Sequence, residues 1–278
     1  MKATTDEIMV FFMARHLQDG EMVVQGLATP LVAAAFLLAR FTHAPNLYFA
    51  SAIGQGICRE PAPMSLLSVE RLWLDRSLNN DGFVRVVADV LPSLRPKEFF
   101  RPAQVDPYGN FNNIAFGKKY SLPRMRLPGT GGTPDVTLVF DGIYLYVPRH
   151  SRLTFVSQLD FLSGLGYNPG RKHGCGPQYL VTDLGQFDFG PHEEGEPFYR
   201  MRLLSYHRGV TIDQIKQKTG FDLVIARDVH ETPSPTADEL RLLREHVDPL
   251  GIRRLELLSG SERRIILREI ISQELSSN

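Results

Sequence analysis

Cysteine is scarce and neither sign of charge is in surplus. The 278 residues include two cysteines, Cys58 and Cys175, far apart and without C-x-x-C spacing. That excludes a disulfide-built fold and points to a reducing compartment. Lysine and arginine number 31, as do aspartate and glutamate, so the net charge is zero. A neutral chain has no electrostatic footprint for nucleic acid or an anionic membrane. Long apolar runs are missing too: the most apolar, Leu31–Ala39, is closed by Arg40, far short of a bilayer span. The opening MKATTDEIM has acids where a secretory leader needs basic and then apolar residues. A soluble cytoplasmic protein with no membrane segment and no nucleic-acid partner is expected.

Familiar catalytic signatures are also lacking. His192-Glu193-Glu194 and His230-Glu231 lack H-E-x-x-H spacing, and His173 near Cys175 has no further ligands, so no metal is expected. No G-x-S-x-G elbow occurs, which removes the usual serine-hydrolase arrangement. Cys58 as a nucleophile would need an activating base; a small buried residue is the plainer reading.

The local patterns are those of an α/β protein. Thr4 and Glu7 have capping-box spacing before a helical period that runs to Gly20. Met22–Val24 reads as a strand. Thr29-Pro30 reads as a cap with proline at the first helical position, opening a buried helix from Leu31 to about Thr42. Asn46–Ser51 reads as the next strand, followed by the small residues Ala52, Gly54 and Gly56. Strand, helix, strand and small-residue loop make a βαβ unit of a parallel sheet, with the ligand crevice beyond the strand C-termini. Further strands are expected at Glu98–Val105, Thr137–Phe140, Ile143–Val147, Tyr179–Thr182, Phe187–Phe189 and Tyr199–Leu204. Helices are expected at Thr211–Lys218 and Ala237–Val247, the latter behind a capping box of Thr236 and Glu239, and an amphipathic helix at about 261–275. With no repeat and no clear linker, one domain over 1–278 is expected, its central sheet open, mainly parallel and flanked by helices.

Two stretches are dense in special residues. RMRLPGTGGTPD (124–135) carries Pro128, Gly129, Gly131, Gly132 and Pro134 behind Arg124 and Arg126. A Walker loop would need Lys-Ser/Thr after its last glycine; Thr133-Pro134 stands there, and the Rossmann glycine spacing is absent. What remains is a backbone that can approach an oxyanion or phosphate closely, or merely turn a corner. AQVDPYGNFNN (103–113) sets a turn, Asp106–Gly109, among Gln104, Asn110, Asn112 and Asn113. Those amides either meet a thioester or carboxylate oxygen or bond the turn's own backbone.

Together, in this order, these stretches resemble the β-type subunit of family I CoA-transferases, in the pattern of the glutaconate CoA-transferase B subunit. GPQYLVTDLGQFDF (176–189), GVTIDQIKQKTGFDL (209–223) and LLREHVDP (242–249) agree with it. The resemblance covers about residues 6–250. It implies an open α/β fold, a homologous α-type subunit as partner in an αβ or α2β2 assembly, acyl-CoA thioesters as substrates and no permanently bound cofactor. It makes PGTGG an oxyanion cradle, with Gly131 and Gly132 as N–H donors. Ser51, Gln104, Asn112 and Gly129 would bind substrate, and Arg124 or Arg126 would hold a carboxylate or a CoA phosphate.

One departure changes the expected chemistry. The transferases place a nucleophilic glutamate at the end of the strand that here reads NLYFAS; that position falls at Ala50, followed by Ser51. The nearest acid downstream is Glu60. Members of the superfamily without the glutamate include a ring-opening CoA hydrolase of steroid catabolism and a decarboxylase of methylglutaconyl-CoA. The expectation is therefore the β subunit of an acyl-CoA C–C bond hydrolase or decarboxylase. The alternatives are a genuine CoA-transferase with a relocated nucleophile, Glu60 or a partner carboxylate, and a non-catalytic scaffold subunit.

Overall fold

A computed structural model of the chain describes residues 2–26, 28–53, 55–168, 171, 172, 174–191 and 199–277. Gly54, His173 and the His192-Glu193-Glu194 run lie outside the described residues. The chain forms two compact units, residues 1–96 with 234–278, and residues 97–233.

The first unit holds the predicted βαβ start. Strands β1 (Met22–Gln25), β2 (Tyr48–Ser51) and β3 (Gly56–Cys58) form one sheet in that order. β1 and β2 are parallel, while β2 and β3 are antiparallel. The Thr4–Glu7 capping box opens the helix Thr5–Arg15. The crossover helix Pro30–Phe41 has proline in its first turn and buries Leu31, Val32 and Ala34–Ala39, as an all-round apolar helix must. Thr29 occupies its N-cap position without a side-chain cap bond. Instead the Leu31 N–H donates to Glu256 Oε1 (3.0 Å), 225 residues away. Phe49 of β2 packs against Phe36 (6.2 Å between ring centres) and Trp73 (5.9 Å).

The C-terminal segment belongs to this unit and is tied to it by charge. Arg253, almost wholly buried, meets Asp6 (2.8 Å), Glu7 (3.0 Å) and Asp248 (2.9 Å). The helix Gly260–Ser277 covers the stretch expected to be an amphipathic helix. Ile270 joins Ile252 and Leu255 in a small apolar cluster, while Ile265 faces solvent. Glu274 accepts from the N–H groups of Leu66 and Leu67, 2.8 Å each.

The second unit is built on a six-stranded sheet. Its strands are β4 (Glu98–Phe100), β9 (Ile143–Val147), β10 (Tyr179–Thr182), β11 (Gly185–Gly190), β12 (Arg200–Tyr206) and β13 (Val224–Glu231), in the order β13-β12-β11-β10-β9-β4. The pairs β4–β9, β9–β10 and β12–β13 are parallel, and the two pairs involving β11 are antiparallel. The sheet is mixed and mainly parallel. Two small hairpins complete the strands: β5 (Gln104–Val105) with β6 (Phe111–Asn112), and β7 (Ala115–Phe116) with β8 (Met125–Arg126).

Two local expectations are corrected, and one strand went unread. Thr137–Phe140 is not a strand: it closes the helix Thr133–Val139. Gly132 as N-cap, Pro134 in the first turn and Asp135 beside it are helix-start signals, and they prevail over the β-propensity of Val-Thr-Leu-Val. Glu98–Val105 is interrupted at Arg101-Pro102, because proline cannot donate to a ladder. Its two pieces enter different sheets. β13 went unread, because its exposed face is charged and its alternation is weak.

Candidate active site

In the first unit the position of interest is the end of β2. Ala50 and Ser51 are buried and register with Val24 and Gln25 of β1 and with Ile57 and Gly56 of β3. A Cβ on Gly56 would come within 1.9 Å of the Asn79 carbonyl oxygen, so only glycine lets β3 pass. Beside Ser51 lies Gln25, buried, whose Nε2 donates to the Gly26 carbonyl (3.2 Å) and the Thr29 hydroxyl (3.3 Å). Its Oε1 is buried and has no hydrogen-bond partner among the described residues. Sequence reasoning missed Gln25: a lone glutamine at a strand end carries no motif.

Glu60 finds no support here as a relocated nucleophile. β3 runs antiparallel to β2, with Cys58 opposite Phe49, so the chain at Glu60 has moved back toward the start of β2. Three residues of extended chain beyond the Ala50 level is about 10 Å. Glu60 forms an exposed ion pair with Arg40 (2.9 Å). Cys58 is fully buried, with Sγ 3.5 Å from the Ser77 hydroxyl, and burial pushes its thiol up. It is a core residue, as the plainer reading had it.

The second unit carries both dense loops. Asp106 organises the first turn: its Oδ1 accepts from the N–H groups of Tyr108 (2.9 Å) and Asn110 (3.0 Å), and its Oδ2 from Asn110 Nδ2 (2.9 Å). Gly109 takes φ +75°, where a Cβ would strike Pro177 and Phe189. Asn113 is likewise absorbed, accepting from the Ala103 N–H (2.8 Å). Gln104 and Asn112 are both buried and bond each other, with Asn112 Nδ2 donating to Gln104 Oε1 at 2.8 Å. Asn112 also donates to the Ala115 carbonyl (2.8 Å) and accepts from the Ile114 N–H (2.9 Å). Asp160, not singled out from the sequence, closes the frame. Its N–H donates to Gln104 Oε1 (3.1 Å) and its Oδ2 accepts from the Gly117 N–H (2.9 Å). The amides thus hold this wall together.

PGTGG is exposed to half-exposed, apart from that frame. Gly129 (φ +112°) and Gly131 (φ +53°) take backbone conformations that disfavour side chains. Among the described residues nothing accepts from the Gly131 or Gly132 N–H. Arg124 and Arg126 are exposed on the arm that leads into the loop, over Phe116 (6.0 Å) and Tyr120 (4.3 Å) respectively. No group of three or more His, Cys, Asp or Glu able to hold a metal ion occurs among the described residues.

The chain as a whole is similar to known proteins. No family model matches the chain. It is 31% identical to the 3-oxoadipate CoA-transferase B subunit of Pseudomonas knackmussii over 87% of its length and 92% of that protein. It is 33% identical to the cholesterol ring-cleaving hydrolase IpdB subunit of Rhodococcus jostii over 86% of its length and 89% of that protein. Among solved structures, the decarboxylase AibA/AibB superposes with a TM-score of 0.76 at 28% identity, covering 91% of this chain and 98% of that one. IpdAB of Rhodococcus jostii gives 0.75 at 28% identity, covering 93% and 100%. The chain belongs to the β-type subunits of the family I CoA-transferases, a superfamily whose members include transferases, a hydrolase and a decarboxylase. No helix among the described residues is long and apolar enough to cross a membrane.

Proposed function

We propose that the chain is the β subunit of a heteromeric acyl-CoA enzyme that cleaves a C–C bond, by hydrolysis or decarboxylation, without a covalent glutamyl thioester. One observation carries this reading: the strand end where the transferases keep their nucleophile holds buried Ala50 and Ser51, with Glu60 directed away and paired to Arg40. An alanine has no electron pair to give. Both reactions build negative charge on the thioester oxygen, and that charge needs hydrogen-bond donors already in place. The N–H groups of Gly131 and Gly132 supply them, in a loop whose backbone glycine keeps unobstructed. Gln104 and Asn112 form the binding wall, and Gly129 lets it turn. Arg124 holds a substrate carboxylate or a CoA phosphate, whereas Arg126 is taken up by the Tyr120 ring and carbonyl. The proton-transferring group comes from a homologous α-type subunit, in an αβ or α2β2 assembly. CoA enters as thioester substrate, and no resident cofactor is required. The named hydrolase and decarboxylase among the relatives support the reading.

The test is to co-express the chain with its α-type partner and to offer dicarboxylic and cyclic acyl-CoAs with and without acetate, following products by mass spectrometry. Loss of CO2 or gain of water on the acyl group, with no acetyl-CoA, is the expected result. Acetyl-CoA formed only when acetate is present would instead establish a transferase. In the same complex, Gly131→Val should lower turnover at least about a hundredfold, the size of losing an oxyanion donor; intact turnover would remove the glycines from the reaction.

A further inference from the structure

Between the Asp160 frame and the glycine loop, the chain leaves the body of the second unit as a hairpin. Residues 117–126 read GKKYSLPRMR: four cations, no acid. In a chain of zero net charge this is a local surplus. Its base is fixed. Gly117 donates to Asp160 (2.9 Å), the Arg124 N–H to the Phe116 carbonyl (2.8 Å), and β7 pairs β8 in register Ala115 with Arg126. Arg126 is committed inside the hairpin, stacked 4.3 Å over the Tyr120 ring and donating to the Tyr120 carbonyl (2.9 Å). Lys118, Lys119 and Arg124 are exposed and form no ion pair among the described residues. Three uncompensated cations within seven residues repel one another, and an anion relieves that repulsion.

The hairpin also presents an aromatic surface. Tyr120 is 63% exposed although Arg126 lies over the ring and Phe161 meets it edge-on (6.1 Å). A tyrosine ring held in place and open to solvent, with lysines beside it, is the chemistry that binds an adenine nucleotide: the ring stacks the base and the cations meet the phosphates. The hairpin ends three residues before Gly129, so it lies next in sequence to the loop assigned to the thioester.

We infer that the 117–126 hairpin binds the phosphorylated adenosine end of the CoA thioester, through Lys118, Lys119 and the exposed face of Tyr120. This rests on the acyl-CoA reading above and extends it from the reacting carbonyl to the far end of the substrate. Lys118 and Lys119 contact phosphate directly, while Arg126 is a positioning residue that braces Tyr120.

The complex with the α-type partner, as wild type, Lys118→Ala/Lys119→Ala and Lys118→Arg/Lys119→Arg, is titrated calorimetrically with CoA and with pantetheine, at low and high salt. The alanine pair should bind CoA about five- to tenfold more weakly at low salt, as loss of two exposed charge contacts predicts. That difference should shrink as salt rises. Pantetheine, which lacks the nucleotide, should bind all three alike, and the arginine pair should keep CoA affinity near wild type. Unchanged CoA affinity in the alanine pair, or an equal loss for CoA and pantetheine, would overturn the proposal. So would a complex that falls apart on sedimentation, since the hairpin would then be a subunit contact. If the wild-type complex binds neither CoA nor pantetheine, the acyl-CoA reading itself fails, a result distinct from a hairpin-specific negative.

Discussion

At the scale of single residues, the amides in AQVDPYGNFNN show how a cluster that looks like a binding surface can be a frame. Asn112 is fully buried and makes three bonds, to Gln104, Ala115 and Ile114. Replacing it with alanine takes this partner from the Ala115 carbonyl and the Ile114 N–H in a dry site, while Gln104 Oε1 keeps the Asp160 N–H. Each such group costs about 1–3 kcal/mol, so Asn112→Ala should destabilise the protein by about 3 kcal/mol or more, read as a shift of the urea midpoint. If stability were untouched and only turnover fell, Asn112 would be a substrate ligand and not part of the frame. Gln25 poses the reverse case: its buried Oε1 has no partner among the described residues, and it lies in register with Ser51 at the end of β2.

Among the elements, the crossover helix Pro30–Phe41 is the most telling. Its sequence start signal, Thr29-Pro30, places the helix correctly, but the threonine hydroxyl is turned to the loop, donating to the Gly26 carbonyl. The cap comes from Glu256, and a carboxylate at a helix N-terminus also meets the positive end of the helix dipole. Glu256→Ala should therefore cost about 1–2 kcal/mol, the usual worth of a helix cap. Glu256→Gln, which keeps an acceptor oxygen, should recover part of it. Equal stability of the alanine variant and wild type would show that water caps this helix as well.

For the molecule as a whole, the second unit stores an acid sensitivity. His150 is buried, its ring stacked on Phe155 (3.6 Å) and its Nε2 against the Thr219 hydroxyl (3.0 Å). Burial, aided by Lys218, lowers it from 6.5 to about 3. His207, between the Thr232 hydroxyl (3.0 Å) and the Thr182 carbonyl (2.9 Å), is lowered by burial to about 4. Both are neutral in the fold, whereas the unfolded chain takes up protons below about pH 6.5. Their contribution is complete above that pH and is lost as pH falls toward the folded values. Stability should be flat between pH 7 and 8 and drop by about 2 kcal/mol per histidine by pH 5. Denaturant titrations at a series of pH values measure this directly; a flat profile down to pH 5 would mean that the rings are hydrated.

The features that could be read before folding were local or carried by ordered motifs. Capping boxes, the Pro30 helix start, the buried strands and the turn at Asp106–Gly109 all follow from residues within a few positions of one another. The family membership follows from several motifs in fixed order, and the expectation that Ala50 stands where the transferases keep their glutamate rests on the same resemblance. Everything that depends on distant partners came from the packed fold. It fixed which way β3 carries Glu60, that Glu256 caps a helix 225 residues away, and that Asp160 ties the amides together. It also turned Thr137–Phe140 into the end of a helix and left Lys118, Lys119 and Tyr120 open on a braced hairpin. The reason is physical: propensity and spacing act along the chain, whereas hydrogen-bond satisfaction, burial and the direction of a paired strand are set only when separate segments meet.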